Sequence, residues 1–167
     1  GVLSRPVVLP QEVLEALLVW RHDDSVPVRD AVGRALGPCF NDSGEVKEAL
    51  VALLHDPVPE VRAVAVEQLA RKGQDDPQVR HILLHHTVED QSYAVRKQLA
   101  TALGAFRVVD EPLLTAIRIL LSDGTLAVQE AMIDAIAQLG YPGQDIVEDL
   151  LVSMTASSKP SIATRAI

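Results

Sequence analysis

Three histidines lie within six residues of one another and have the best spacing in the chain for metal binding. His81 and His85 are four residues apart, so a helix would bring both imidazoles to one face, a spacing that zinc accepts. His86 follows directly, and Glu89 or Asp90 could supply a further ligand. A solvated polar helix face explains the cluster equally well. We therefore expect a surface cluster without a bound metal.

Two His-Asp pairs could also suggest a metal site. His22-Asp23 and His55-Asp56 occupy equivalent places in successive copies of a repeated pattern. Packed helices lie roughly 8–10 Å apart, so few side chains would converge on one ion. We expect each imidazole to lie at the end of a helix, near its exposed carbonyl groups.

The remaining residue types do not form a catalytic arrangement. The sequence contains no Ser-His-Asp order, phosphate-binding glycine loop or Cys-His pair that would support one. We expect neither catalysis nor a cofactor. Cys39 is the single cysteine and cannot form an internal disulfide, so a reducing, cytoplasmic setting is expected.

A recurring Asp-x4-Val motif indicates which elements position these residues. Its aspartates return at a nearly constant interval, and Arg follows the Val in three copies, whereas Gln follows it in the fourth. Self-similarity at such an interval is typical of stacked helical units. The four copies comprise Asp23, Val28 and Arg29; Asp56, Val61 and Arg62; Asp90, Val95 and Arg96; and Asp123, Val128 and Gln129.

Apolar residues on both sides of each aspartate predict two amphipathic helices per unit. The second helix carries Val28, Ala31, Val32 and Leu36 in the first copy, with equivalent residues in the others. The first helix has apolar columns six and ten residues before the aspartate: Leu17, Leu50, Leu84 and Ile117, and Val13, Val46, Arg80 and Leu113. Trp20 aligns with Leu53 and Leu120, so we expect it in the core.

Turn residues mark both ends of the second helices. Ser25, Ser92 and Thr125 lie two residues after their aspartates and could accept a bond from the free N–H groups of the following helix. Pro59 would be the first residue of that helix in the second copy. Four glycines follow the second helices, where left-handed terminators are favoured: Gly37, Gly73, Gly104 and Gly140.

Composition narrows the class of partner. Hydrophobic residues make up 48% and aromatic residues only 3%, so the core is expected to be aliphatic. A net charge of −8 argues against binding nucleic acid or anionic lipid. No apolar run approaches the roughly 18–20 residues of a membrane span, and the N-terminus lacks a convincing signal peptide. A soluble chain with a protein partner is expected.

The second-helix segments VRDAVGRALG, VRAVAVEQLA and VRKQLATALG resemble HEAT repeats, in the short form also seen in phycobilisome-lyase-like proteins. The resemblance runs from about Gln11 to the C-terminus. It implies an all-α fold, a right-handed α-α superhelix (α-solenoid) of helical hairpins. The expected repeats are about 11–40, 41–74, 75–107, 108–141 and a partial 142–167, with residues 1–10 as a lead-in or the end of a preceding repeat.

Within such an array the motif's charged residues are expected to form a structural ladder. A carboxylate favours the positive end of a helix, and an arginine from the adjacent repeat can pair with it. In HEAT arrays the matching residues usually do this. The ladder would comprise Asp23, Arg29, Asp56, Arg62, Asp90, Arg96 and Asp123.

Two enzyme families with HEAT-like folds are poor matches. Deoxyhypusine hydroxylase binds di-iron through His-Glu dipeptides after the Val-Arg, and this chain contains no His-Glu dipeptide. HEAT-like DNA glycosylases use a basic groove with aromatic residues, whereas this chain is acidic. The resemblance therefore favours a binding protein.

A HEAT array implies that the second helices line the concave side, where their variable positions would face a protein partner. These positions are Asp30, Arg34, Ala63, Glu67, Lys97, Thr101, Glu130 and Asp134. Their mixed charge favours a protein over a phosphate polymer. Tyr93 and Tyr141 are candidate exposed contacts. Two alternatives stay open: a regulatory arm of a multidomain protein such as a signalling NTPase, and a lyase-like accessory protein.

The C-terminal end of the array is expected to be incompletely covered. The chain stops within a repeat, so we expect a segment of a longer protein with an incompletely covered end around Leu150, Leu151 and Met154. That end could pair with another molecule, giving end-to-end self-association.

Overall fold

The described part of the protein consists of helices joined by turns. A computed structural model describes residues 9–41, 43–85, 87–139 and Val152. Within these ranges there are eight α-helices and no strand: α1 (Gln11–Trp20), α2 (Val26–Leu36), α3 (Gly44–Leu53), α4 (Pro59–Gly73), α5 (Pro77–His85), α6 (Tyr93–Leu103), α7 (Glu111–Leu121) and α8 (Leu126–Gln138). Short 3₁₀ turns, Gly37–Cys39 and Thr87–Glu89, follow α2 and α5. The predicted all-α architecture is confirmed.

Consecutive helices pair as hairpins, and the hairpins stack. Helix α1 packs on α2, α3 on α4, and α7 on α8, whereas α5 contacts α6 mainly through the turn Thr87–Glu89. The second helices α2, α4, α6 and α8 form a continuous row. The first helices contact one another less extensively. Each unit therefore buries its apolar face against its neighbours, which makes the array an α-solenoid.

An aliphatic core runs the length of the described array. Successive hairpins contribute Leu and Ile side chains that are fully buried, and Met132 closes the row on α8. Most predicted columns are buried, among them Val46, Leu50, Leu84, Leu113, Ile117, Val61, Val95 and Val128. Arg80 is an exception, because Val79 is the buried residue at that point of α5.

The prediction that Trp20 belongs to the core is wrong. Its side chain is 51% exposed, whereas Leu53 and Leu120 at the equivalent places are 3% and 0% exposed. Leu53 packs against the preceding hairpin, since a Cβ built at Gly33 would lie 3.4 Å from Leu53 Cδ1. Trp20 belongs to the first hairpin and has no such neighbour among the described residues.

Aspartates, and not the predicted hydroxyl groups, bond to the N–H groups ahead of the second helices. The side chains of Ser25, Ser92 and Thr125 make no capping hydrogen bond. Instead each motif aspartate accepts from the backbone N–H two residues later, at 2.8–2.9 Å in all four repeats. A carboxylate makes a stronger acceptor than a hydroxyl, and this bond fixes the turn that leads into the helix.

The predicted left-handed glycines are also wrong where the structure describes them. Gly37 and Gly104 are right-handed, with φ of −52° and −60°. Gly104 serves close packing, because a Cβ there would lie 2.9 Å from the backbone oxygen of Ala135 on α8. Gly73 is the last residue of α4. Gly140 lies outside the described residues.

Candidate binding surface on the second helices

A row of arginine–aspartate pairs links each second helix to the next repeat. Arg29 donates to Asp56 at 2.7 and 3.0 Å, and Arg62 donates to both carboxylate oxygens of Asp90 at 2.8 Å. Arg96 does the same to Asp123, at 2.6 and 3.1 Å. Two parallel bonds per pair fix both the distance between the guanidinium and the carboxylate and their relative orientation.

The same arginines also bond within their own repeat. Arg62 Nη1 donates to the backbone oxygen of Asp56 at 2.9 Å, and Arg96 makes the equivalent bond to Asp90. One guanidinium therefore joins the turn of its own repeat to the aspartate of the next. In the fourth repeat Gln129 keeps the backbone bond to Asp123 O but has no guanidinium for a further aspartate.

The ladder carboxylates are held in their charged form. Burial raises the pKa of Asp90, but hydrogen bonds from Arg62 and from the Ser92 N–H outweigh that effect, and the pKa lies below its ordinary value. The pKa of Asp56 is lowered in the same way: burial raises it, and hydrogen bonds from Arg29 and the Val58 N–H outweigh that effect. For Asp123 the hydrogen bond from Arg96 is the largest cause of the lowered pKa. These groups are occupied inside the stack and are poorly placed to bind a partner.

In the first two repeats the predicted binding residues neutralise one another. Arg34 pairs with Asp30 at 2.9 Å on its own helix and lies 3.7 Å from Glu67 on α4. Glu67 also lies 3.7 Å from Arg71. Ala63 packs against the core. This part of the surface offers few free charges.

In the third and fourth repeats the predicted residues line one depression. Lys97 and Thr101 on α6 face Glu130 and Asp134 on α8 across a cavity of about 250 Å³, whose floor includes Ala127 and Ala131. The Thr101 hydroxyl donates to the Lys97 carbonyl at 3.1 Å. Lys97, Glu130 and Asp134 are exposed and form no ion pair among the described residues.

The histidines make contacts other than those of a metal site. The rings of His81 and His85 lie 4.5 Å apart on the exposed face of α5. No group of three potential metal ligands occurs among the described residues. At the end of α1 the carbonyl of Leu18 accepts from Arg21, and His22 Nε2 accepts from Arg21 Nε. His22 follows the end of α1, and Arg21 rather than the imidazole bonds to the Leu18 carbonyl there.

A second row of ion pairs connects the first helices and was missed in the sequence. Lys47 lies 3.1 Å from Asp76, and Arg80 lies 2.6 Å from Asp110. The Arg80 guanidinium also lies 5.1 Å from the centre of the Phe106 ring. One repeat period separates the two cations, and nearly the same period separates the two aspartates, which was the available signal.

Some predicted contacts can be located and others cannot. Tyr93 is 54% exposed at the start of α6, in agreement with its prediction as a surface aromatic. Tyr141 and the partial fifth repeat lie outside the described residues, as do Leu150, Leu151 and Met154. His86 is also outside them.

The protein belongs to the α-solenoid class of helical-repeat proteins. Its hairpins stack, its second helices form a continuous row, and arginine–aspartate pairs link successive repeats. The family model for HEAT repeats matches residues 12–104, more than half of the chain. The chain belongs to the HEAT repeat family. No match was found among curated proteins.

The HEAT repeat family has typical functional properties. HEAT repeats are commonly protein-interaction scaffolds and are generally non-catalytic. Among the described residues, every helix is too short or too polar to cross a membrane.

Proposed function

We propose that this chain is a non-catalytic scaffold or adaptor segment that binds a protein partner on its second-helix face. The depression between α6 and α8 is the observation that supports the proposal most strongly. It brings together Lys97, Thr101, Glu130 and Asp134, which were selected from the sequence because they vary between repeats. Three of them carry charges without an ion-pair partner in the described structure.

The packing of the helices supports the choice of face. The second helices contact one another more extensively than the first helices do. Closer packing on one side bends a stack toward that side, so the second helices would line the concave surface. A concave surface lets a partner contact several repeats at once.

The distribution of charge supports the part of the face chosen. In the first two repeats Arg34 and Glu67 already form ion pairs with each other and with neighbouring charged residues. Between α6 and α8 one cation faces two carboxylates, which suits a protein segment with both basic and acidic groups. The net charge of −8 is consistent with a partner other than nucleic acid. The cytoplasmic setting predicted from the single cysteine stays a prediction.

Affinity capture with paired variants tests this proposal. The site variant combines Lys97→Ala, Glu130→Ala and Asp134→Ala. Its control combines Glu45→Ala, Glu48→Ala and Arg107→Ala, which change the net charge equally at exposed places away from the depression. We expect the site variant to recover at least about tenfold less of the partner than the control, since a few central residues dominate an interface. Equal recovery with both variants would overturn the proposal.

A further inference from the structure

A small pocket lies between the second and third hairpins, at the turns that join the two helices of each hairpin. Its volume is about 120 Å³. His55 is exposed and lines the pocket, which therefore reaches the surface at that side chain. The pocket shares no lining residue with the depression between α6 and α8. The described residues that line it are Leu54, His55, Ile82, Thr87, Asp90 and Val95.

Thr87 places a hydroxyl group where the other hairpins carry a larger apolar side chain. The same column, three residues before each motif aspartate, holds Leu53 and Leu120, which are 3% and 0% exposed. Thr87 is 6% exposed, and its side chain forms no hydrogen bond within the described part of the chain. A buried hydroxyl normally has a hydrogen-bond partner. Its position in the pocket wall therefore indicates a polar group of an occupant.

The other walls limit the chemistry of that occupant. Three of them are aliphatic side chains, two buried and one half-buried: Leu54, Val95 and Ile82. The carboxylate of Asp90 also lines the pocket, but it already accepts two bonds from Arg62 and one from the Ser92 N–H. Transfer of a charged group from water to aliphatic walls is unfavourable. An uncharged occupant that bonds to Thr87 fits these walls best.

We infer that this pocket binds a small uncharged ligand with one hydroxyl group on a six-membered ring, which is the chemistry of a phenol. An apolar protein cavity of about 150 Å³ binds benzene, so a pocket of about 120 Å³ suits a single ring. The ring would pack against the aliphatic walls, and its hydroxyl would bond to that of Thr87. Such a ring is available either as a free small molecule or as the tyrosine side chain of a protein partner.

Nuclear magnetic resonance titration of the isotopically labelled chain with phenol tests the inference. We expect saturable shifts at the backbone amides of Ile82, Thr87 and Val95, which line the pocket. Toluene is the matched probe, because it has nearly the same shape as phenol and no hydroxyl group. The ratio of the two affinities isolates the contribution of the hydroxyl.

Two substitutions of Thr87 separate the space from the hydroxyl. Thr87→Leu introduces the side chain that the column carries at Leu53 and Leu120, so the variant should fold and should bind phenol at least about tenfold more weakly. Thr87→Val keeps the shape of the side chain and removes its hydroxyl. It should lower the affinity for phenol relative to toluene by about two- to tenfold. Thr115→Val, at an exposed place on α7, is the matched control and should change neither affinity.

Three results would overturn the inference. The first is the absence of saturable shifts at millimolar phenol, which would mean that the pocket holds only water. The second is unchanged phenol binding by Thr87→Leu, which would place the bound phenol elsewhere. The third is an unchanged ratio of phenol to toluene affinity in Thr87→Val, which would show that the hydroxyl does not select the ligand.

Competition with N-acetyltyrosinamide distinguishes the two sources of the ring. Displacement of phenol by this compound would support a tyrosine side chain of a protein partner, because the compound carries the backbone atoms of a peptide. Binding of phenol without such displacement would support a free small molecule, since the pocket then admits the ring but excludes the attached backbone.

Discussion

At the scale of single residues, each motif aspartate has two partners that a sequence cannot rank. Asp90 accepts from Ser92 N–H in its own turn and from Arg62 of the preceding repeat. Spacing from Asp to Val-Arg showed that both residues belong to the motif. It did not show that the carboxylate, and not the Ser92 hydroxyl, bonds to the start of the helix, because both groups are chemically able to do so.

The lowered pKa of Asp90 predicts a loss of stability in acid. A carboxyl whose folded pKa lies below its unfolded value stabilises the fold above the unfolded pKa, near 3.8, and loses that contribution as pH falls toward the folded pKa. We expect Asp90→Asn to reduce the free energy of unfolding by about 1–2 kcal/mol at pH 7, allowing for its partial exposure. The difference should shrink below about pH 4.

Urea unfolding of both chains between pH 7 and pH 3 measures this difference. The two stability curves should approach each other below about pH 4, because the unfolded carboxyl takes up a proton there while the folded carboxyl, with its lowered pKa, keeps its charge to lower pH. Curves that stay parallel through the whole range would show that the charge of Asp90 contributes nothing to the fold.

At the scale of helices, the repeat period and apolar columns were enough to predict both helices of each hairpin. Buried positions such as Leu50 and Ile117 follow from spacing alone, because one helix face must meet the neighbouring repeat. Trp20 was misplaced because column alignment assumes a preceding neighbour for every repeat, and the described residues include none for the first. The contact of Arg80 with Asp110 was missed because Arg80 lies in an otherwise apolar column and was aligned with core residues.

Glycines between helices were assigned to turns, but packing determines at least one of them. A Cβ at Gly104 would lie 2.9 Å from Ala135 O and 3.0 Å from Ala135 Cα, both backbone atoms of α8. We expect Gly104→Ala to push α6 and α8 apart and to lower the free energy of unfolding by about 1–3 kcal/mol. Chemical denaturation measures the change.

Gly44 provides the matched control for that substitution. It lies at the start of α3, and a Cβ built there meets nothing within 4 Å. Gly44→Ala should leave stability unchanged or slightly raised, because alanine favours the helix. Equal destabilisation by both substitutions would show that close packing at Gly104 is not the cause.

At the scale of the whole molecule, the residues that pair between repeats differ from the exposed residues proposed to bind a partner. Arg29, Arg62 and Arg96 are fixed between repeats, whereas Lys97, Glu130 and Asp134 are exposed on the second-helix face. The sequence predicted this division because the ladder residues repeat and the others vary. It could not predict that Arg34 and Glu67 would lie close enough to pair, which depends on the distance between α2 and α4.

Photo-crosslinking tests the central claim, that a protein binds the depression between α6 and α8, most directly. A photoreactive amino acid is placed at Thr101, which lines the depression, or at Glu48, which is exposed on first helix α3. We predict a crosslinked protein partner from Thr101 and at most a weak one from Glu48. Crosslinking from Glu48 that equals or exceeds that from Thr101 would contradict the claim.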